Sequence, residues 1–260
     1  MSQFTGIIRH EFRMSAHRPG LWISYLMIAA FFALGLNTTS GEGLTDHLRG
    51  RNPLQEAAET VYMLNMTMPL LAGILSADRM QRDIRFNLYK IQFSTPLKRR
   101  TYILGKYLGV LASLLLAALA CVLLHGLTAV IATSSTPLFL LAELPAFAVI
   151  VVPAVAMVTA FSLLCTVFLP LRVYQILFTG YWFWGNYLNE GLLPTISGTL
   201  LNASGVFAMQ GFFNGGTFNP IPGQPFNAAQ AGLNLVILTA LTILALVSLH
   251  VYLARQARRA

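Results

Sequence analysis

Apolar residues in this chain gather into runs of bilayer-spanning length, separated by short polar pieces. A helix needs about 20 residues to cross roughly 30 Å of hydrocarbon, and lipid offers backbone polar groups no water, so such runs predict helices. A soluble helical protein with a large core would show a polar face every 3.6 residues, and most of these runs show none. The pattern predicts an all-α membrane protein of six transmembrane helices, at about 21–36, 61–77, 102–132, 138–169, 173–188 and 228–253.

The connecting pieces carry their own signals. Phe4, Ile7, Ile8 and Phe12 recur at helical spacing, with Arg9, His10 and Arg13 on other faces. That is the pattern of an amphipathic helix in the headgroup plane, and Pro19-Gly20 separates it from the first span. Residues 37–60 hold Glu42, Asp46, Glu56 and Glu59 and read as an external loop. Residues 78–101 form the longest charged stretch and read as cytoplasmic. Lys106 then sits in the first turns of the third span, where lysine snorkels to the interface. Pro145 and Pro153 predict a kink in the fourth span, and Pro170-Leu171-Arg172 a tight turn before the fifth. Residues 190–227 form a second external segment, uncharged after Glu190 and rich in Gly, Pro, Asn and aromatics. Such a segment packs on the membrane face or dips partly into it, shielded by protein. No internal repeat or soluble domain interrupts the 260 residues.

Composition agrees, with 56% hydrophobic and 10% charged residues where soluble domains run near a quarter charged. The net charge of +8 invites a nucleic-acid reading, but its distribution explains it otherwise. With six spans and a cytoplasmic amino terminus, all of the 17 basic residues but Arg49 and Arg51 fall on the inner side, as the positive-inside rule expects. The charge is topological, and no nucleic-acid partner is called for. The run after Arg9, Arg13 and Arg18 is followed by further spans, so it reads as a retained first helix rather than a cleaved leader. Cys121 and Cys165 lie inside apolar runs without metal or disulfide spacing and read as small core residues.

Three absences narrow the chemistry. There is no G-x-x-x-x-G-K-[ST] phosphate loop, since Gly105-Lys106 lacks the upstream glycine and the following hydroxyl. The spans are nearly free of ionisable groups where ion-driven transporters place carboxylates or histidines. Glu143 and Glu190 fall near external ends, and His125 reads as a hydrogen-bonded structural residue. Paired carboxylates with His, H-E-x-x-H and a G-x-S-x-G elbow are also missing. The chain reads as a conduit that takes its energy from elsewhere and binds no cofactor itself.

A partner supplying that energy must touch the cytoplasmic face. Met80, Ile84, Leu88 and Ile91 form an apolar stripe at helical spacing, surrounded by Arg79, Arg82, Asp83, Arg85 and Lys90, with Phe86 among them. Ser94-Thr95-Pro96 follows, with Thr95 suited to an N-cap and Pro96 to the first helical position. The stretch predicts a short amphipathic helix, a hard break and a second helix entering the bilayer. The plainer reading is a basic juxtamembrane loop drawn to anionic lipid, and the residues alone leave the two level.

The series Asp78-Arg79 through Arg82, then Ser94-Thr95-Pro96-Leu97, then Tyr102-Ile103-Leu104-Gly105-Lys106-Tyr107 resembles the permease subunits of ABC-2 type transporters. The amino-terminal Ile8-Arg9-His10-Glu11-Phe12-Arg13 is similar to that family's interfacial helix, so Arg9, Glu11 and Arg13 become its marked residues. The resemblance extends over the whole topology, including the long segment between the last two spans. It implies two six-helix permeases around a pathway, as a homodimer or heterodimer, each docked on a separate ATPase subunit that holds ATP and magnesium. It also implies coupling through the elbow (Arg79, Arg82, Asp83, Arg85, Phe86, Lys90, Thr95 and Pro96), export of a hydrophobic or amphipathic drug, lipid or peptide, and a bacterial inner membrane with both termini cytoplasmic. A non-transporting scaffold or sensor subunit is the other class the sequence allows.

Phe178, Tyr181, Trp182, Phe183, Trp184 and Tyr187 crowd the outer end of the fifth span. An interfacial aromatic belt is the favoured reading, and an apolar exit wall, with Phe178, Tyr181 and Trp182 as candidate pathway lining, is the alternative. The sequons Asn37-Thr38-Thr39 and Asn202-Ala203-Ser204 carry no weight in a bacterial source.

Overall fold

The first helix, α1 (Gln3–Ala16), is followed at the Pro19 break by α2 (Pro19–Thr38). This computed structural model describes residues 3–38, 52–86, 97–133, 137–188, 191–216 and 225–256. Within them every regular element is helical: α3 (Pro53–Asn65), α4 (Met68–Ser76), α5 (Asp78–Arg85), α6 (Arg99–Thr133), α7 (Leu138–Ala146), a π-helical turn (Phe147–Val151), α8 (Val152–Cys165), α9 (Leu171–Asn186), α10 (Val206–Phe213) and α11 (Ala228–Gln256).

Among the described residues, four stretches are long and apolar enough to cross a membrane: Pro53–Arg85, Arg99–Ile131, Leu138–Cys165 and Ala228–Gln256. The first and fifth of the six expected spans differ in length. Pro19–Leu34 is apolar but shorter, and the 16 residues of α9 rise only about 24 Å.

The second span starts earlier than its apolar run. Asn52 caps α3, its side-chain oxygen accepting from the Leu54 N–H, and Pro53 takes the first helical position. Glu56 and Glu59, expected in a loop, are buried on this helix. Glu59 Oε1 accepts from the Gly216 N–H at 2.8 Å. Pro69 then interrupts the span, because it has no N–H to give the carbonyl of Asn65. Side chains from neighbouring helices serve the carbonyls there: Trp182 Nε1 donates to Met66 at 2.8 Å, and the Tyr25 hydroxyl to Met68 at 3.3 Å. In the fourth span, Pro145 and Pro153 bracket the π-helical turn, so the helix widens by one turn between two residues that cannot donate.

The described part of the segment before α11, residues 191–216, folds in among the helices. α10 is buried along Val206 to Gln210 and packs on α11 and α3. Irregular backbone inside a membrane protein survives only where its polar groups are met, and asparagines meet them here. Asn65 Nδ2 donates to Ser204 O at 2.7 Å, Asn186 Oδ1 accepts from the Ala203 N–H at 2.7 Å, and Asn234 Nδ2 donates to Asn202 O at 2.8 Å. Gly205 carries the turn with φ of 88°, and a Cβ there would lie 2.5 Å from Ile150 Cγ2.

The main core joins α2, α3, α4, α6 and α10 through Tyr25, Tyr62, Met68, Leu114, Phe207 and Met209. A second cluster at the basic end joins Met80, Tyr102, Tyr107, Leu163 and Leu249. The outer faces of α2 (Ile23, Met27, Phe31) and α9 (Ile176, Leu177) stay exposed and apolar, a surface suited to lipid.

Candidate coupling site at the basic end

α1 lies directly against the start of α6. Gly105 and Gly109, one turn apart, make the approach possible, as small residues do where helices cross in membranes. A Cβ on Gly105 would meet Ile7 Cγ2 at 2.8 Å, and one on Gly109 would meet the Ile8 carbonyl oxygen and Glu11 Cβ, each at 2.7 Å. The contact turns the buried face of α1, with Glu11 and Ser15, toward α6 and leaves Arg9 and Arg13 exposed.

That contact closes a three-helix ion network. Lys106 Nζ lies 2.8 Å from Glu11 Oε1 of α1 and 2.8 Å from Asp83 Oδ2 of α5. The Tyr102 hydroxyl, one turn earlier on α6, also donates to Asp83 Oδ2. Lys106 is 2% exposed, so it does not snorkel as expected. Two carboxylates hold it inside, which its sequence neighbours do not reveal because both partners come from other helices. Buried charges paired in this way are costly to break, since removing one leaves the other stranded.

The structure divides the expected elbow residues into two sets. On α5, Arg79, Met80 and Asp83 are buried, whereas Arg82, Arg85 and the following Phe86 are exposed. Phe86 closes the helix with its N–H on Arg82 O at 3.0 Å. Lys90, Thr95 and Pro96 lie outside the described residues, and helical structure resumes at Arg99. Arg18, just after α1, reaches both carboxylate oxygens of Asp78 at 3.2 and 3.0 Å and so ties α5 to the α1–α2 junction.

The candidate pathway residues also separate. Phe178 stacks on Tyr174 with ring centroids 5.6 Å apart and covers Gly73, where a Cβ would meet its ring at 2.2 Å. Phe178 and Tyr181 border an apolar pocket of about 410 Å³ with Met157, Phe161, Leu201 and Leu241. Trp182 is fully buried and bonded to the Met66 carbonyl, which makes it part of the α3–α4 break.

At the opposite end, sequence reasoning missed how deeply the acids are buried. Glu143 is 0% exposed, and neither carboxylate oxygen has a hydrogen-bond partner among the described residues. It stands against Gly126, where a Cβ would lie 2.1 Å from Oε2. His125, expected to be hydrogen-bonded, has no partner for Nδ1 among the described residues and stands nearly perpendicular to the Phe32 ring, with centroids 6.5 Å apart. Glu56, Glu59 and Glu143 all fall within the first two turns of their helices, at one end of the bundle rather than midway.

A family model described as ABC-2 family transporter protein matches residues 6–183. No curated protein matches the chain.

Proposed function

This chain belongs to the ABC-2 family of transporter proteins, and from that premise we propose that it is the export permease of a transporter driven by a separate ATP-binding-cassette subunit. Membership makes it a membrane transport permease associated with an ATPase. The finer reading places that ATPase on the exposed side of α5, at Arg82, Arg85 and Phe86, and a second permease beside this one in the cell inner membrane of a bacterium.

The observation that carries the proposal is the ion network. Asp83 shares α5 with the exposed residues and grips Lys106 at 2.8 Å. A push on α5 therefore reaches α6 through a buried charged contact, and α1 through Glu11. Six spans, with α2 and α9 as the short ones, put both termini and this network on the cytoplasmic side, in keeping with the positive-inside rule. ATP and magnesium belong to the partner, and this chain performs no hydrolysis. The apolar pocket bordered by Phe178 and Tyr181 suits a hydrophobic or amphipathic cargo.

Co-expression with a separate ATPase subunit tests the docking face. Arg82→Glu with Phe86→Asp is expected to reduce ATPase recovered with the purified chain by about tenfold or more, since apolar and charge-paired anchors dominate interfaces. The solvent-facing Arg9→Glu should leave recovery unchanged. Equal recovery from all three proteins would reject α5 as the docking element.

A further inference from the structure

Beside the ion network lies a pocket that the coupling proposal does not use. It has a volume of about 260 Å³ and opens between the α1–α2 junction, α4, α5 and α6. Its lining mixes polar side chains, from Ser15, Arg18, Arg79 and Ser113, with apolar ones, including Leu21, Leu75 and Leu114.

Arg79 is the unusual member. It is 3% exposed, yet its Nε and Nη1 have no hydrogen-bond partner among the described residues. The nearby Asp78 is already held by both bonds from Arg18, and its Oδ1 stays 3.7 Å from Arg79 Nε. Glu11 spends Oε1 on Lys106, and its buried Oε2, also without a hydrogen-bond partner among the described residues, does not bond Arg79. The Ser15 hydroxyl is likewise buried and without a partner among the described residues. A buried guanidinium with open donors is expensive unless an anion or another acceptor meets it.

We propose that this pocket binds a phosphate-type anion, with the Arg79 guanidinium as main ligand and Ser15 and Arg18 beside it. The planar fork of arginine matches phosphate oxygens two at a time. The chemistry fits either a phospholipid headgroup or a free phosphate. The site lies where the amphipathic α1 turns into α2, and its lining sets leucines beside the polar groups, which suits a headgroup with the start of an acyl chain as well as a free anion. The inference stands on this geometry alone and does not require an ATPase on α5.

The test uses the full-length chain in non-ionic detergent and three probes: phosphatidylglycerol, phosphatidylcholine and inorganic phosphate. Retention is read by native mass spectrometry and by thermal stabilisation. Arg79→Gln removes the ligand, while Ser15→Leu fills the pocket and leaves the guanidinium in place. Retention of phosphatidylglycerol over phosphatidylcholine by about tenfold, lost in both variants, identifies a headgroup site. Stabilisation by inorganic phosphate with no preference between the lipids, again lost in the variants, identifies a free-anion site. No binding of any probe to the wild-type chain overturns the proposal. So does unchanged binding by Arg79→Gln, or by Ser15→Leu should Arg79→Gln fail to fold.

Discussion

Replacing Lys106 with methionine is expected to destabilise the folded chain by about 3–5 kcal/mol, the usual cost of removing one partner from a buried ion pair. Glu11 and Asp83 would then share the interior without the ammonium that pairs with both, their side chains only 8% and 10% exposed. Methionine nearly matches the lysine stem in length, so little packing is lost and the electrostatic effect dominates. In detergent the unfolding midpoint should fall by on the order of 10 °C. Adding Glu11→Gln and Asp83→Asn removes the stranded charges, and the triple variant should recover most of the loss. A single variant that melts with the wild type would mean that the network contributes nothing to holding α1, α5 and α6 together.

The second large effect is expected from one methyl group. Gly109→Ala puts a Cβ 2.7 Å from the Ile8 carbonyl oxygen and 3.1 Å from the Phe12 nitrogen. These are backbone atoms that cannot rotate aside, so α1 must move as a body, and Glu11 moves with it. Overpacking of this kind costs about 1–3 kcal/mol, against the helix-propensity gain of up to about 1 kcal/mol that alanine brings. The comparison that isolates the contact is Gly6→Ala on α1, where a Cβ meets nothing within 4 Å. Gly6→Ala should be neutral or slightly stabilising, and Gly109→Ala should lower the midpoint and expose α1 to proteolysis. Gly105→Ala should fall between them, because its shortest contact is the Ile7 Cγ2 methyl at 2.8 Å and its backbone neighbour, the Phe4 carbonyl oxygen, stays 3.7 Å away.

Both effects involve residues whose roles were only half legible in the sequence. The helical class follows from apolar runs, which any bilayer demands, and the amphipathic α1 follows from the spacing of Phe4, Ile7, Ile8 and Phe12. Lys106 looked like a snorkelling lysine because hydropathy sees one helix at a time, whereas its partners arrive 95 and 23 positions away on two others. Gly105 and Gly109 carried a readable signal in their four-residue spacing, the spacing at which small residues let helices approach. The start of α3 was also readable in Asn52-Pro53, but Glu56 and Glu59 suggested a loop. Glu59 is met by the Gly216 N–H, far along the chain, which no local pattern reports. The elbow's stripe was visible, but which of its arginines face inward depends on the packing of α5 against α8 and the start of α6.

Glu143 sharpens the question of fuel. A fully buried carboxylate without a partner among the described residues is the group on which a proton-coupled mechanism would draw. Reconstitution into vesicles separates the two energy sources most directly, with an amphipathic fluorescent dye as cargo and the chain present with or without a separate ATPase subunit. Uphill dye movement is expected only when the chain, the ATPase and magnesium ATP are all present, and Lys106→Met should abolish it while the ATPase stays bound. Uphill movement by the chain alone under a pH or sodium gradient, with no nucleotide, would contradict a permease fuelled by another polypeptide.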